Sequence, residues 1–279
     1  MMKGQGGLPM VRVETAVSTA EIHLQGAHVT HFQKAGEAPL LFLSKESKFA
    51  EGTAIRGGIP IIFPWFGAKA GAPSHGFARV GVWDLIGAEV NSGGETRLRF
   101  ILPNGIDPNG AEWGLDYVVT VGEALQLELI VTNTSRQRDF TFENCLHTYF
   151  SVGDIHSTAI AGLSGVKYRD KVENFAEKTE TNPAILITSE VDRVYMDTTA
   201  AVEIRDQRLR RKIVVEKSGS ASTVVWNPWI EKAKQLSDFG DDEYQQMVCV
   251  ESGNVGKNWI TLKPGESSSL KVKLRSAAL

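Results

Sequence analysis

The chain has 279 residues, of which 42% are hydrophobic and 23% are charged, and its formal net charge is -3. This composition is ordinary for a globular protein, and the length suits one large domain. The slightly acidic balance argues against nucleic-acid binding and against an anionic membrane surface, and no apolar run approaches the roughly 20 residues of a transmembrane helix. Two cysteines, Cys145 and Cys249, are too few for a disulfide framework or a zinc site. A reduced, cytoplasmic setting is therefore expected.

Residues 1–10 are rich in glycine and lack the apolar core of a signal peptide. We predict that they form a flexible N-terminal segment of a single domain spanning residues 1–279. Strand-like runs follow at 11–17, 21–24, 28–33 and 40–43, punctuated by glycine and proline. Three histidines lie in this region, His23, His28 and His31. No cysteine or carboxylate cluster accompanies them, so we interpret them as ordinary strand residues.

The segment 55–67 is apolar but contains glycines and prolines, which exclude a long helix or a central strand. Arg56 lies at its entrance, beside two glycines that permit a close approach of the backbone. A second loop follows at 74–79 and ends in Arg79. Two loop arginines could bind an anion, because the guanidinium fork matches the geometry of a phosphate. The alternative is a pair of surface arginines without a ligand.

The run 141–150 has the aromatic and β-branched composition of a strand. Side chains alternate along a strand, so the phenylalanines of this run and Leu146 share one face, while Cys145, His147 and Tyr149 share the other. A histidine among polar neighbours suits proton transfer near neutral pH. It could equally be a core histidine that bonds a backbone carbonyl.

Shorter elements follow. In the run 189–195, Asp192 next to Arg193 predicts a surface ion pair of little energetic value. A strand at 222–226 ends at Asn227 and Pro228, and a short helix is predicted at 230–236. The acidic run 241–243 is expected to be a solvated loop.

The run 244–254 is the second important strand. Met247, Cys249 and Glu251 lie on one face, and Val248 and Val250 lie on the other. A glutamate at the end of an apolar strand is rarely buried without a partner. Glu251 is thus either a carboxylate at the rim of the fold or a base held in a cleft.

Many short strands separated by turn signals, with little helical periodicity, predict an all-β fold. The expected architecture is one large antiparallel β-sandwich with few short helices. No internal repeat or low-complexity segment is present.

Six segments of the chain, taken in order, resemble a known family. They are IRGGIP at 55–60, FPWFG at 63–67, HGFAR at 75–79, EVDRVY at 190–195, WNP at 226–228 and CVE at 249–251. Together they are similar to the D-hexose-6-phosphate mutarotases, also called glucose-6-phosphate 1-epimerases. These enzymes belong to the aldose 1-epimerase (galactose mutarotase-like) superfamily, whose fold is a β-supersandwich.

The resemblance implies roles for individual residues. It implies that His147 is the general acid and Glu251 the general base, that Arg56 and Arg79 bind phosphate, and that His75 and Asp192 contact the sugar. The position before His75 often carries a longer polar residue such as glutamine in this family, and here it is Ser74, a candidate substrate contact that departs from the pattern. The family uses no metal and no organic cofactor. The expected partner is a small-molecule sugar phosphate bound by a monomer, with no nucleic acid and no membrane involved.

Two other functions remain open at this point. One is a 1-epimerase of unphosphorylated aldoses, which would need no anion clamp and therefore neither Arg56 nor Arg79. The other is a non-catalytic carbohydrate-binding or sensing module, since sandwich folds carry many functions. The presence of both His147 and Glu251 argues against this second alternative.

Overall fold

The computed structural model describes residues 1–279. Almost all regular structure is β-sheet, with one α-helix, α1 (Trp229–Lys234), and 3-10 turns at Gln5–Gly7, Ile155–Ser157, Glu243–Gln246 and Gly256–Asn258. In chain order the strands are β1 (Met2–Lys3), β2 (Pro9–Glu14), β3 (Ser18–His23), β4 (His28–Lys34), β5 (Ile61–Ile62), β6 (Asp84–Val90), β7 (Thr96–Ile106), β8 (Glu112–Val121), β9 (Leu125–Asn133), β10 (Phe140–Phe142), β11 (Asn144–Leu146), β12 (Tyr149–Ser151), β13 (Thr158–Ala161), β14 (Lys167–Asp170), β15 (Ala176–Thr179), β16 (Ala184–Leu186), β17 (Val191–Met196), β18 (Val202–Asp206), β19 (Arg211–Ser218), β20 (Ser222–Asn227), β21 (Met247–Asn254), β22 (Ile260–Leu262) and β23 (Ser267–Ala278). The predictions of an all-β chain and of a short helix after Pro228 are both confirmed.

Two large sheets dominate the architecture. The nine-stranded sheet has the order β16-β13-β18-β19-β23-β9-β8-β7-β6, and the eight-stranded sheet has the order β15-β14-β17-β20-β21-β11-β5, with β12 also paired to β21. A four-stranded sheet of β1 to β4 and the pair β10-β22 complete the fold. Neighbouring strands run antiparallel. The predicted antiparallel sandwich is therefore confirmed.

The main hydrophobic core lies between the two large sheets. In β9, Leu127 and Leu129 alternate with half-buried polar residues, as a strand packed on one face requires. Val248 and Val250 of β21 enter the same core from the opposite sheet. The intervening residues of β21, Cys249 and Glu251, are buried on the second face of the eight-stranded sheet. This second face carries the candidate site.

The prediction of one continuous strand over 141–150 is wrong, because the chain changes its partner strand once within this segment and interrupts its pairing a second time. It divides into β10, which pairs with β22, and β11 and β12, which both pair with β21. Glu143 lies at the first break, where its carboxylate accepts hydrogen bonds from the backbone N–H groups of Phe66 and Gly256. The backbone N–H of Thr148 turns back to the carbonyl of Leu146 at the second break. The predicted alternation of faces nevertheless holds on both sides of these breaks.

The N-terminal prediction also needs correction. Residues 1–10 were expected to be flexible, but Met2–Lys3 forms an edge strand whose partners are Met10 and Pro9. Leu8 and Met10 are buried, so burial of apolar side chains orders a segment that its glycines alone would leave loose. No helix in the structure has both the length and the apolar character needed to cross a membrane.

Candidate active site

A histidine and a glutamate meet on the second face of the eight-stranded sheet. Tyr149 lies opposite Cys249 in the pairing of β12 with β21, and a step of two residues along each strand brings His147 opposite Glu251. The Nε2 atom of His147 lies 3.2 Å from Oε1 of Glu251. Both side chains are almost fully buried, at 10% and 1% exposure. The expectation that these two residues approach each other is confirmed.

The carboxyl group of Glu251 is shielded from solvent. Burial is the main cause that raises its pKa well above the ordinary value, and the negative charge of Asp192 adds to the effect. The Sγ atom of Cys145 donates to Oε2 at 3.5 Å. Cys145 and Cys249 are both free, buried thiols, as expected. The protonated form of Glu251 is therefore favoured far more than in water.

His147 experiences the opposite shift. Burial lowers the pKa of its imidazole well below the ordinary value, and the positive charges of Arg79 and Arg56 lower it further. The ring of Tyr149 stacks on the imidazole, with centroids 4.8 Å apart and planes 15° apart. Both shifts favour the uncharged forms of the two side chains, a neutral imidazole beside a protonated carboxyl group.

Arg56 projects into the same cleft from the loop that precedes β5. Its Nη1 atom donates to the hydroxyl of Tyr149 at 3.0 Å, and its Nη2 atom donates to Asp238 Oδ1 at 3.1 Å. The Nε atom of Arg56 is buried without a partner. The guanidinium is thus fixed by two side chains, and one of them is the ring stacked on His147.

The loop 74–79 brings His75 to the cleft through an unusual backbone. His75 and Gly76 both have positive φ, 65° and 71°, and Gly76 lies against the backbone of Phe63. The Nδ1 atom of His75 accepts a hydrogen bond from the backbone N–H of Gly67 at 3.2 Å. Burial lowers the pKa of His75 to about 3, so the ring is neutral and its proton is on Nε2.

Gly76→Ala should destabilise the protein more than Gly71→Ala. Both glycines have φ near 70°, which costs a side chain about 1–2 kcal/mol. Only Gly76 has a close neighbour: an added Cβ would lie 1.9 Å from the Phe63 carbonyl oxygen, whereas Gly71 has nothing within 4 Å. We expect the clash to add about 1–3 kcal/mol. Urea unfolding of both variants measures the difference, and equal losses would show that the close packing of this loop is unimportant.

Asp192 lies on the cleft side of the eight-stranded sheet, in register with residues of two neighbouring strands. Asp192 lies opposite Trp226 in β20, and Trp226 lies opposite Cys249 in β21. The predicted surface ion pair with Arg193 is wrong, because consecutive residues of a strand point to opposite faces. Asp192 instead pairs with Lys171 at 2.7 Å. Arg193 pairs with Glu180 on the other face.

The cleft formed by these side chains has a volume of about 120 Å³. Its lining residues are Arg56, Phe66, His75, His147, Tyr149, Lys171, Asp192, Trp226 and Glu251. A larger cleft of about 580 Å³ lies beside Trp65 and Trp113, but its only titratable side chains are Lys69 and Asp107. The smaller cleft combines the His147–Glu251 pair with the cations of Arg56 and Lys171, so we regard it as the candidate active site.

Two predicted site residues do not line this cleft. Ser74 is exposed, and its backbone carbonyl accepts a hydrogen bond from Arg79 Nη2 at 2.7 Å. Arg79 lies next to the cleft, close enough for its charge to lower the pKa of both His75 and His147. Its Nε atom is buried without a partner.

Five side chains of the site were not predicted from the sequence. They are Phe66, Tyr149, Lys171, Trp226 and Asp238. The two-residue step from His147 could have identified Tyr149. Lys171 and Asp238 follow no local pattern, because they lie in segments of the chain that contain no predicted site residue.

The sequence also did not suggest a metal-ligand cluster, yet His147, Cys249 and Glu251 place one ligand atom each within 4.8 Å of one another. The three histidines of the first strands form no such group, and burial holds the pKa of His28 at about 3.

Known proteins are similar to this chain in sequence and fold over most of their lengths. A protein from Cenchrus ciliaris named "Putative glucose-6-phosphate 1-epimerase" is 38% identical over 277 residues, covering 95% of this chain and 84% of its own length. A protein of the same name from Escherichia coli K12 is 34% identical over 251 residues, covering 88% and 83%. The crystal structure of a putative mutarotase from Salmonella typhimurium superposes with a TM-score of 0.89 at 31% identity, covering 98% of this chain and 91% of the other.

The family model described as aldose 1-epimerase matches residues 9–275. This range contains both large sheets except the last three residues of β23, and it includes the paired His147 and Glu251 and every residue that lines the cleft. The resemblance inferred from the short sequence motifs is confirmed, and the chain belongs to the aldose 1-epimerase family.

Proposed function

We propose that this protein interconverts the α and β anomers of a hexose 6-phosphate, with glucose 6-phosphate as the first candidate. The observation that carries the proposal is the contact of 3.2 Å between His147 Nε2 and Glu251 Oε1, in a cleft that Arg56 also lines. Relatives that are 32–38% identical carry the printed name putative glucose-6-phosphate 1-epimerase, which supports the same substrate. We further propose a monomer in the cytoplasm, since one chain supplies the whole cleft and both cysteines are free.

The reaction requires an acid and a base next to one carbon atom. In a cyclic hemiacetal the ring oxygen and the anomeric hydroxyl are both bonded to C1. Glu251 takes the proton of the anomeric hydroxyl while His147 donates a proton to the ring oxygen, and the C1–O5 bond breaks to give the aldehyde. Rotation about C1–C2 exposes the other face of the carbonyl. Ring closure with the proton transfers reversed gives the other anomer.

The substrate phosphate would also prepare the acid. Before substrate binds, the positive charges of Arg79 and Arg56 contribute to the low pKa of His147. A sugar phosphate carries about -1.5 to -2 charge at neutral pH and offsets these cations when it binds. The proton shared by the pair then moves toward His147 and leaves Glu251 ionised. This is the protonation state that ring opening needs.

One observation favours the epimerase of free aldoses as a second candidate. Arg56 already donates to Tyr149 and Asp238, and Arg79 donates to the Ser74 carbonyl. Both guanidinium groups therefore have partners within the protein, as they would if the substrate were uncharged. Two-dimensional NMR exchange between the anomeric protons of glucose 6-phosphate, compared with glucose at equal concentration, separates the two candidates. Faster catalysed exchange of free glucose would overturn the assignment of a phosphorylated substrate. If neither sugar showed catalysed exchange, the assignment of epimerase activity would be overturned.

Tyr149→Phe should weaken activity on the phosphorylated sugar alone. The change removes the hydroxyl that holds Arg56 at 3.0 Å and keeps the ring that stacks on His147. A hydrogen bond contributes about 0.5–1.5 kcal/mol net, so kcat/KM for glucose 6-phosphate should fall about two- to tenfold. Tyr168→Phe is the matched control, because Tyr168 is also buried in the eight-stranded sheet but lies outside the cleft. An equal fall for glucose would show that the hydroxyl does not act through Arg56.

A further inference from the structure

Three buried side chains, two of which line the cleft, form a group of metal-ligand atoms. The Nε2 or Nδ1 atom of His147, Sγ of Cys249 and a carboxylate oxygen of Glu251 all lie within 4.8 Å of one another. Cys249 and Glu251 are two residues apart on β21, and therefore share a face of a strand that is hydrogen-bonded on both sides. The strand pairing that positions the acid–base pair thus also positions the thiol beside it.

The spacing of these atoms suits a tetrahedral ion. Zinc bonds of about 2.3 Å to sulfur and about 2.0–2.2 Å to nitrogen and oxygen imply ligand atoms roughly 3.2–3.6 Å apart. The distance between His147 Nε2 and Glu251 Oε1 is already 3.2 Å. The sulfur is within 4.8 Å of both groups, so a shift of about 1 Å or a change of the cysteine rotamer would complete the geometry.

The charges near the group also suit a divalent cation. A thiolate and a carboxylate together neutralise a charge of two. Lys171 pairs with Asp192 and Arg56 pairs with Asp238, whereas Arg79, next to the cleft, donates to a backbone carbonyl. Nitrogen, sulfur and oxygen donors in this combination favour zinc over magnesium or calcium, which prefer oxygen alone.

We propose that His147, Cys249 and Glu251 form a binding site for a thiophilic divalent cation, with Zn²⁺ as the best match, and that its occupancy blocks anomer exchange. The fourth coordination position would face the cleft. On binding, the Cys249 thiol loses its proton to solvent, as does the His147–Glu251 pair, because all three donors must be deprotonated. The imidazole then has no proton for the ring oxygen, and the carboxylate is engaged by the metal. The inhibition of anomer exchange rests on the proposed function, whereas the binding of the metal ion does not.

Cys145 provides a matched control for Cys249. Its Sγ lies 3.5 Å from Oε2 of the same glutamate, and it is equally buried. Cys145 is nevertheless outside the group in which all ligand atoms are mutually close. A serine at either position removes one thiol near Glu251 with the same change in volume.

Cobalt reports thiolate ligation directly, so Co²⁺ is the probe for binding. The full-length protein, kept reduced, is titrated with Co²⁺ and read for the near-ultraviolet thiolate-to-cobalt charge-transfer band. We expect the band in the wild-type protein and in Cys145→Ser, and its loss in Cys249→Ser. Cys249→Ala replaces Cys249→Ser if thermal melting shows that the serine variant unfolds. Absence of the band in the wild type, or its persistence in both Cys249 variants, would overturn the site.

Inhibition is measured separately with Zn²⁺ and reversed with EDTA. Each variant is compared with its own metal-free rate of glucose 6-phosphate anomer exchange. The Zn²⁺ concentration for half-inhibition should rise by about tenfold or more in Cys249→Ser and change little in Cys145→Ser. A cobalt band with undiminished exchange would overturn the block and count against His147 and Glu251 as the catalytic pair, while the metal site would stand.

Discussion

Glu251→Gln and His147→Ala should each remove most of the catalysed anomer exchange and leave the protein folded. A positioned acid or base contributes about 10²- to 10⁴-fold to rate, and we expect losses of that size. The double variant should be little slower than either single variant, because the two groups act as one unit on one substrate. Exchange spectroscopy of glucose 6-phosphate gives the rates, and thermal melting gives the stability.

Surface residues of the same types provide the controls for this pair. His156 is exposed and pairs with Asp154, and Glu231 lies exposed on α1. His156→Ala and Glu231→Gln should retain the wild-type exchange rate. A folded Glu251→Gln protein with normal exchange would show that Glu251 is not the base, whatever its contact with His147.

Arg56→Ala and Arg79→Ala should lower kcat/KM for glucose 6-phosphate by about ten- to a hundredfold each. Hydrogen bonds to charged groups are worth about 1.5–3 kcal/mol, and about 1.4 kcal/mol corresponds to a factor of ten. Activity on glucose, where detectable, should change little. Lysine at either position should restore only part of the loss, because an ammonium group cannot form the planar fork.

Arg169→Ala is the control for the arginine variants, since Arg169 is an exposed residue of β14 outside the cleft. It should behave as wild type with both sugars. If Arg56→Ala and Arg79→Ala reduced exchange of glucose as strongly as that of glucose 6-phosphate, both arginines would be structural. The epimerase of free aldoses would then be the better assignment.

The parts of the fold that depend on side-chain alternation could be predicted from the sequence. A period of two residues assigns Val248 and Val250 to the core and Glu251 to the opposite face, without knowledge of the partner strand. The same rule places Cys145 and His147 together. These faces do not identify the partner strand, so the expectation that His147 and Glu251 approach each other also needed their roles as acid and base, which the family resemblance implied.

Features that depend on distant contacts could not be predicted. The breaks within 141–150 follow from exchange of partner strands and from Glu143 bonds to Phe66 and Gly256, which are far away in the sequence. Pairing of Asp192 with Lys171 is likewise a property of the assembled sheet. Local propensity contains no information about such partners.

The division of β21 between core and cleft has an evolutionary consequence. Odd-numbered residues from Met247 to Glu251 face the cleft side and Val248 and Val250 face the main core, so deletion or insertion of one residue would exchange the two sets at once. Substitutions in this strand can be tested one at a time by selection, but a change of its length cannot. We expect homologous sequences to vary in loop length while keeping this stretch ungapped, and the ungapped stretch to extend to the paired segment around His147.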